Sequence, residues 1–537
     1  MASKPSKPKT FTFPFILFLI ALLVFSINYL KQARNVIIHP KIARNPSWFE
    51  VVARELRDEN INIGIVNMDE TKTISEVHAN AKTVKVHFDR VQAGIQWSDL
   101  FPTWIDENSP KKTCPELPMP KFEEYKDLDV VVARVPCNEC EESGLRDVFR
   151  LQLNLVVANL LVRSGRKGHG VNRPIFAVFI GCCMPMWEIF RCDDLLWHGG
   201  NSRVYKPDLG RIKQKVLMPV GTCQLAPPFA QSGEELWRRR SNINLNPSLA
   251  EPKEAYVTVL HSSEAYVCGA IALAQSIIQS NSTKDLVLLA DEHITPTSID
   301  GLRSAGWKIK RIQRIRSPQS KKNSYNEWNY SKLRIWRLQE YDKVMFIDSD
   351  LIVTKNLDEF FIFPQLSAAI NNRHIFNSGM MIIEPSKCTF KTLMKKRFVV
   401  ESYNGGDQGF LNEMFPWWHR LSAKLNFLKF YNPVHDHKRR VPNDVYAVHY
   451  LGLKPWMCYK DYDCNWDRLE YQQFASDSAN ERWWQVYEAM PKKLRQFCSL
   501  TPKMDARIQK YRQRAKNASL PDGHWKIKVR DPRCHQK

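Results

Sequence analysis

KVMFIDSD, residues 343–350, sets a short apolar run directly before two carboxylates one position apart. KVMFI reads as a buried strand, being brief, apolar after its lysine, and closed by the polar DSD. In extended backbone, residues i and i+2 point to the same side. Asp348 and Asp350 can therefore converge on one hard divalent cation at the strand's C-terminal edge. A DxD triplet alone proves little, and two others, Asp127/Asp129 and Asp461/Asp463, read as solvated turns. Asp348 and Asp350 stand out because of the series that leads up to them.

Upstream, AYVTVL (255–260), DLVLLA (285–290) and residues 307–315 read as strands. They alternate with helical stretches at 266–280, 297–305 and 330–339. This alternation predicts βαβ units and a doubly wound, mostly parallel sheet, whose ligands bind beyond the strand C-termini. The fold class is α/β, and a smaller α/β subdomain precedes this one. Residues 128–135 and 174–180 read as its strands and residues 148–164 as a helix, with residues 126–250 forming subdomain and linker. Residues 227–252 are polar and rich in Pro, Ser, Asn and Arg, as a boundary would be. Residues 31–125, with scattered Pro and charge, read as a stem.

Residues 11–30 (FTFPFILFLIALLVFSINYL) carry no charge and would span about 30 Å as a helix, the thickness of a bilayer's hydrocarbon core. A cleaved signal peptide has a shorter apolar region and a small-residue cleavage site; here Asn28, Tyr29, Leu30 and Lys31 follow instead. The reading is a single transmembrane signal anchor behind a short cytosolic tail, residues 1–10, with the body in the lumen. Sequons at Asn281, Asn329 and Asn517 and thirteen cysteines fit an oxidising lumen. A lone CxxC at Cys137 and Cys140 is a weak zinc signal beside disulfides or buried thiols.

The chain is 537 residues long with a net charge of +22, and half of that excess lies in its last 47 residues, which hold 14 Lys/Arg against 3 Asp/Glu. This uneven distribution, the anchor and the lack of a recognised motif argue against nucleic acid as a partner. The basic end, within a C-terminal extension from 461 to 537, reads as a solvated tail.

A cation held by few protein ligands suits a diphosphate substrate, and it needs a third ligand and a positive charge nearby. HYLGLKPW, residues 449–456, can supply both. His449 can offer a ring nitrogen, Gly452 allows close backbone approach, and Lys454 provides a point charge for phosphate. Asn377-Ser378-Gly379, before the strand MMIIEP, and GGDQG at 405–409, before a helix start, read as turns whose side chains could face a sugar.

These four motifs, in this order, resemble the glycogenin-like glycosyltransferases, family 8 of the retaining nucleotide-sugar enzymes. The resemblance covers residues 255–460. With the anchor, DVFRLQLNLVVANLLVRSG and PMWEIFRCDDLLW, the chain is similar to the plant xylan glucuronosyltransferases, once grouped as plant glycogenin-like starch initiation proteins. The resemblance implies a Rossmann-like domain of the GT-A type, in the Golgi membrane. It implies transfer of glucuronic acid from UDP-glucuronate to xylose units of xylan as an α-1,2 branch.

Residue by residue, it implies Asp348, Asp350 and His449 as Mn²⁺ ligands, Lys454 as a diphosphate contact and Lys332 as a residue near the donor. Ser349, Ser378, Gly379 and Gly452 fall within the matching motifs as substrate-binding positions. Asn377, Asp407 and Gln408 match positions lining the donor-sugar and acceptor pocket, and Asp407 and Gln408 are the catalytic candidates. The loop from Gly452 to Lys454 is one residue shorter than glycogenin's, which leaves its phosphate geometry open. Transfer of galacturonate, galactose or glucose by a related enzyme, or a non-catalytic Golgi scaffold or polysaccharide-binding subunit, are the competing readings, and homo- or hetero-oligomers are compatible with all of them. Arg373 and His374 are candidates to meet a donor carboxylate.

Overall fold

The computed structural model describes residues 47–57, 60–68, 81–108, 114–136, 146–165, 173–227, 252–372, 374–432, 439–531 and 533. The expected membrane span, most of the 227–252 linker, the CxxC and Arg373 lie outside these residues. Among the described residues no helix is long and apolar enough to cross a membrane.

Six strands form an N-terminal sheet: β1 (Ile61–Val66), β2 (Ala81–Lys85), β3 (Val130–Ala133), β4 (Phe176–Ile180), β5 (Leu195–Gly199) and β6 (Ser202–Tyr205), in the spatial order β2-β1-β3-β4-β6-β5. β3 and β4 are parallel and joined through helix α1 (Val148–Arg163), as the βαβ reading requires. Asp147 starts α1 by accepting the Arg150 N–H, one of the four amides a helix start leaves unpaired. The stem expectation is corrected here. INIGIV at β1 is buried between β2 and β3, so the described residues from 47 to 125 belong to this sheet and its cover. A single six-residue run flanked by polar sequence carries too weak a period to be told from linker until its pairing partners are known.

The remaining strands are β7 (Glu254–Leu260), β8 (Asp285–Ala290), β9 (Lys308–Arg311), β10 (Lys343–Ile347), β11 (Leu351–Val353), β12 (Ser367–Asn372), β13 (Ile375–Ile383), β14 (His419–Leu421), β15 (Phe427–Leu428) and β16 (Ala447–His449). Seven make the central sheet, in the order β14-β12-β13-β10-β7-β8-β9, and β11-β16-β15 form a small one beside it. Helices α2 (Val267–Gln279) and α3 (Pro296–Ser304) connect the parallel strands β7, β8 and β9. β10 is parallel to β7 on one side and antiparallel to β13 on the other. The direction of the sheet therefore changes where Asp348 leaves β10, which is the kind of crevice open α/β sheets use for ligands. The helix expected at 330–339 is a 3₁₀ run, Asn329–Arg337, and Asn377, Ser378 and Gly379 lie inside β13, not in a turn.

One continuous apolar core joins the two sheets. Trp187 stacks on Phe415 at 4.6 Å, and Phe415 stacks on Trp336 at 5.8 Å. A Cys192–Cys388 disulfide crosses the same seam, and three more, Cys114–Cys223, Cys268–Cys498 and Cys458–Cys464, lie among the described residues. The basic C-terminal stretch is not a solvated tail. Cys498 bonds to α2, Ile508 of the helix Pro502–Asn517 is buried, and the buried Arg533 donates to the carbonyls of Trp456 and Cys498. Nor are Asp129 and Asp463 solvated: Arg173 and Lys429 pair with them at 2.8 and 2.6 Å, and both carboxylates are buried.

Across the seam, Arg191 holds the Glu384 carboxylate at 2.8 Å. Burial pushes that carboxyl up, but Arg191, with Lys343 and Lys215, outweighs it and brings Glu384 down to about 2. A carboxylate depressed in the folded state contributes stability above its ordinary pKa near 4.5 and loses it as the pH falls towards 2. Arg191→Ala removes the one direct ion-pair partner of this buried charge among the described residues and leaves the more distant Lys343 and Lys215, and is expected to cost about 3 kcal/mol. Urea denaturation at pH 7 should show the loss, and the gap to wild type should close as the pH drops below about 4.5.

Candidate active site

β10 ends at Ile347, and the next three residues turn tightly, the Leu351 amide donating to the Asp348 carbonyl at 3.2 Å. The Asp348 amide donates to the Gly379 carbonyl of β13, and the Asp350 carbonyl accepts the Tyr450 amide next to β16. Two neighbouring strands thus pin the DxD backbone from either side. One carboxylate oxygen each of Asp348 and Asp350 and a ring nitrogen of His449 lie within 4.8 Å of one another.

Hydrogen bonds around His449 determine which nitrogen faces the carboxylates. The Gly379 amide donates to Asn377 Oδ1 at 2.8 Å, and Asn426 Nδ2 donates to that same oxygen at 2.9 Å. Asn426 must then present its oxygen to His449 Nδ1, 3.1 Å away, so Nδ1 carries the proton. A neutral ring is left with its Nε2 lone pair aimed at Asp350 Oδ1, 3.3 Å away. Two acceptors facing each other at that distance suit a shared cation, and the donor set of two carboxylates and an imidazole suits a divalent ion. Gly379 makes room for the ring: a Cβ there would lie 2.5 Å from His449 Cε1.

Two lysines complete the cluster. Lys454 Nζ lies 2.6 Å from Asp350 Oδ2 and also donates to the Tyr450 carbonyl. It projects from a loop in which Gly452 adopts φ +75°, a left-handed turn that glycine tolerates without strain. Lys332 Nζ lies 2.6 Å from Asp407 Oδ2 and 3.4 Å from Asp348, and donates to the Ser378 carbonyl at 3.1 Å. Burial pushes the Asp348 carboxyl up, aided by Asp350 and Asp407 and opposed by Lys332. Although burial opposes it too, Lys454 holds Asp350 well below the usual carboxylate range. Both lysines are raised, since their carboxylate partners outweigh burial. Asp348, Asp350 and Asp407 against Lys332 and Lys454 leave one net negative charge, so a divalent cation would turn the site positive, as a diphosphate requires.

Asp407 and Gln408 begin helix α4 (Asp407–Met414). Asp407 Oδ2 also accepts the Ser378 hydroxyl at 2.8 Å; Gln408 accepts the Ser378 amide and donates to the Tyr403 hydroxyl at 2.7 Å. All of these groups line one cleft of about 460 Å³: Lys332, Asp348, Ser349, Asp350, Asn377, Ser378, Gly379, Asp407, Gln408, His449, Gly452 and Lys454. His374 stands apart from this lining; its carbonyl accepts the Trp418 indole N–H. The sequence reading missed Asn426 and a second wall made of His261, Ser262, Tyr266, Tyr325 and Asn326. Burial lowers the His261 imidazole to about 4, so it is neutral at pH 7. HSSEAY, the polar stretch directly after β7, was the available signal for that wall, because ligands gather at strand C-termini. Asn426 had none, since only the fold brings it beside His449.

A crevice at the change of sheet direction, two aspartates and a histidine fit for a divalent ion, and two buried lysines define a glycosyltransferase of the nucleotide-sugar type. Family models match both halves of the chain, the GUX1-5 N-terminal domain over residues 40–223 and Glycosyl transferase family 8 over residues 257–366. UDP-glucuronate:xylan alpha-glucuronosyltransferase 2 of Arabidopsis thaliana is 49% identical over 91% of this chain and 83% of its own length. UDP-glucuronate:xylan alpha-glucuronosyltransferase 1 from the same plant is 43% identical over 91% and 74%. Among solved structures, the galactosyltransferase LgtC with donor and acceptor sugar analogs aligns over 45% of this chain and 99% of its own, at 16% identity and a TM-score of 0.33. The chain belongs to the UDP-glucuronate:xylan alpha-glucuronosyltransferase group of glycosyl transferase family 8.

Asn426→Ala should free the His449 ring from its fixed tautomer and weaken binding of a divalent ion by about 10- to 100-fold. Titration calorimetry with Mn²⁺ in the presence of UDP measures this; undiminished affinity would show that Asn426 does not orient the ring.

Proposed function

We propose that the chain transfers glucuronic acid from UDP-glucuronate to xylose units of xylan with retention of the α configuration, in the Golgi lumen, anchored by residues 11–30. The observation that carries this reading is the convergence of Asp348, Asp350, His449, Lys332 and Lys454 in one cleft, in a chain related along most of its length to enzymes named for that reaction. The disulfides support an oxidising compartment. Asp348, Asp350 and His449 would hold the ion, Mn²⁺ in this proposal, which neutralises charge on the diphosphate leaving group.

The chain's own groups do the rest. In the reaction the bond from the sugar's C1 to the diphosphate oxygen breaks and a bond from C1 to the xylose O2 forms. The xylose hydroxyl proton passes to a leaving phosphate oxygen. Lys454 is already aimed into the cleft and can trade part of its hold on Asp350 for the diphosphate. Lys332 and the Ser378 hydroxyl both bond to Asp407 Oδ2, which ties up that oxygen's lone pairs and blunts it as a nucleophile. That favours a positioning role for Asp407 and Gln408 and a same-face attack guided by the leaving phosphate. Ser349, Asn377, Ser378, Gly379 and Gly452 shape the walls around the donor.

Asp350→Asn removes a cation ligand and strands Lys454, so transfer from UDP-glucuronate to xylo-oligosaccharides with Mn²⁺ should fall by about 100-fold or more. Activity near wild type would refute the ligand assignment. Removing the ion with EDTA should abolish transfer and Mn²⁺ should restore it. In parallel assays, faster turnover with UDP-galactose, UDP-glucose or UDP-galacturonate would refute the donor assignment.

A further inference from the structure

Tyr403 is 59% exposed, yet its hydroxyl accepts a hydrogen bond of 2.7 Å from Gln408, a residue of the cleft wall. Exposed tyrosines usually swing free, whereas this one is tethered at its tip to the site. The loop that carries it is also held. Gln319 donates to the Val400 carbonyl at 2.7 Å and accepts the Ser402 amide. The Ser402 hydroxyl donates to the Gly406 carbonyl, and Asn404 Oδ1 accepts the amides of Gly406 and Gly409. Asn326, from the opposite rim, donates to the Asn404 carbonyl at 2.7 Å. The result is a fixed aromatic face in solvent, at the edge of a polar cleft, joined to its interior through one glutamine.

Gln408 also marks a boundary. Its carbonyl oxygen takes the Ser378 amide on the inside and its amide nitrogen meets Tyr403 on the outside. With the candidate cation and diphosphate groups at Asp348, Asp350, His449 and Lys454, the rim at Gln408 and Tyr403 is left for a second substrate. A neutral pyranose presents C–H groups on its ring face and hydroxyls at its rim, so an immobilised aromatic suits it better than a charged wall would. A prepositioned ring also loses little freedom on binding.

We infer that Tyr403 is the acceptor platform, stacking a xylose unit of the xylan chain so that a neighbouring unit presents its O2 to the donor sugar beside Gln408. The inference rests on the proposed glucuronosyl transfer to xylan. Phe398 and Val399, exposed at 66% and 72% earlier in the same loop, offer apolar surface for further units.

Steady-state kinetics of the full lumenal protein with xylohexaose and UDP-glucuronate test this in wild type, Tyr403→Ala, Tyr403→Phe and Tyr403→Trp. Tyr403→Ala should raise the KM for xylohexaose by about tenfold or more, with the KM for UDP-glucuronate within about twofold of wild type. Tyr403→Phe and Tyr403→Trp, which keep an aromatic face, should recover most of the acceptor KM. An unchanged acceptor KM in Tyr403→Ala, or a donor KM that rises in step with it, would overturn the platform. Wild-type enzyme that glucuronidates no xylo-oligosaccharide would overturn the transfer reading together with it.

Discussion

Three carboxylates, Asp348, Asp350 and Asp407, crowd the end of β10, and buried charge of one sign is tolerated only where something offsets it. Lys332 and Lys454 supply that offset, one bridging Asp407 and Asp348 and the other set against Asp350. The compensation is deliberately incomplete in its arithmetic, with one negative charge left over. A site balanced to zero would have less reason to take a divalent ion, and one without its lysines would carry unpaired charge in a partly closed cleft. Were a cation held between the aspartates, the same lysines that keep the resting site tolerable would be available to a diphosphate.

The geometry around this charge is set largely by main-chain hydrogen bonds to neighbouring strands. β13 and the residue after β16 grip the DxD segment through main-chain hydrogen bonds, and a relay of amides from Gly379 through Asn377 and Asn426 orients His449. Side chains held by strands lose little freedom when a ligand arrives, and that favours a fixed ligand set over one assembled on demand.

The N-terminal sheet takes part in this rigidity. Arg146 forms a forked pair with Glu413 and also donates to the Asn412 carbonyl, while the Trp187 indole donates to the Met414 carbonyl. These donors satisfy carbonyls that the end of α4 leaves unpaired, and they place positive charge at its negative pole. The opposite end of α4 carries Asp407 and Gln408. The two halves of the chain share a core, a disulfide and the support of the helix that carries Asp407 and Gln408, so the first half is part of the enzyme's frame.

Much of the site was legible because its signals are local. An apolar pentad before DSD, the i, i+2 rule and a βαβ series need only neighbouring residues, and they located the edge where Asp348 and Asp350 stand. The other motif residues are spread over more than a hundred positions: His449, Lys454, Asp407 and Gln408 were suggested by the chemistry a metal–diphosphate and sugar site needs and then tied together by resemblance, and Lys332 was found by resemblance alone. What local sequence could not reveal depends on partners distant in the chain. β1 read as stem because its partners β2 and β3 lie up to 67 residues away, and the C-terminal segment read as solvated because Cys268 and Trp456 are far from it in sequence. Asn377 read as a turn residue until β12 and β10 flanked it as a strand. By itself the sequence determined the α/β class and the carboxylate pair, since periodicity and side-chain alternation act over a few residues. Only the tertiary structure decided which nitrogen of His449 faces Asp350, which lysine balances which aspartate and how Tyr403 is fixed at the rim, because each depends on contacts made when remote strands and loops close on one another.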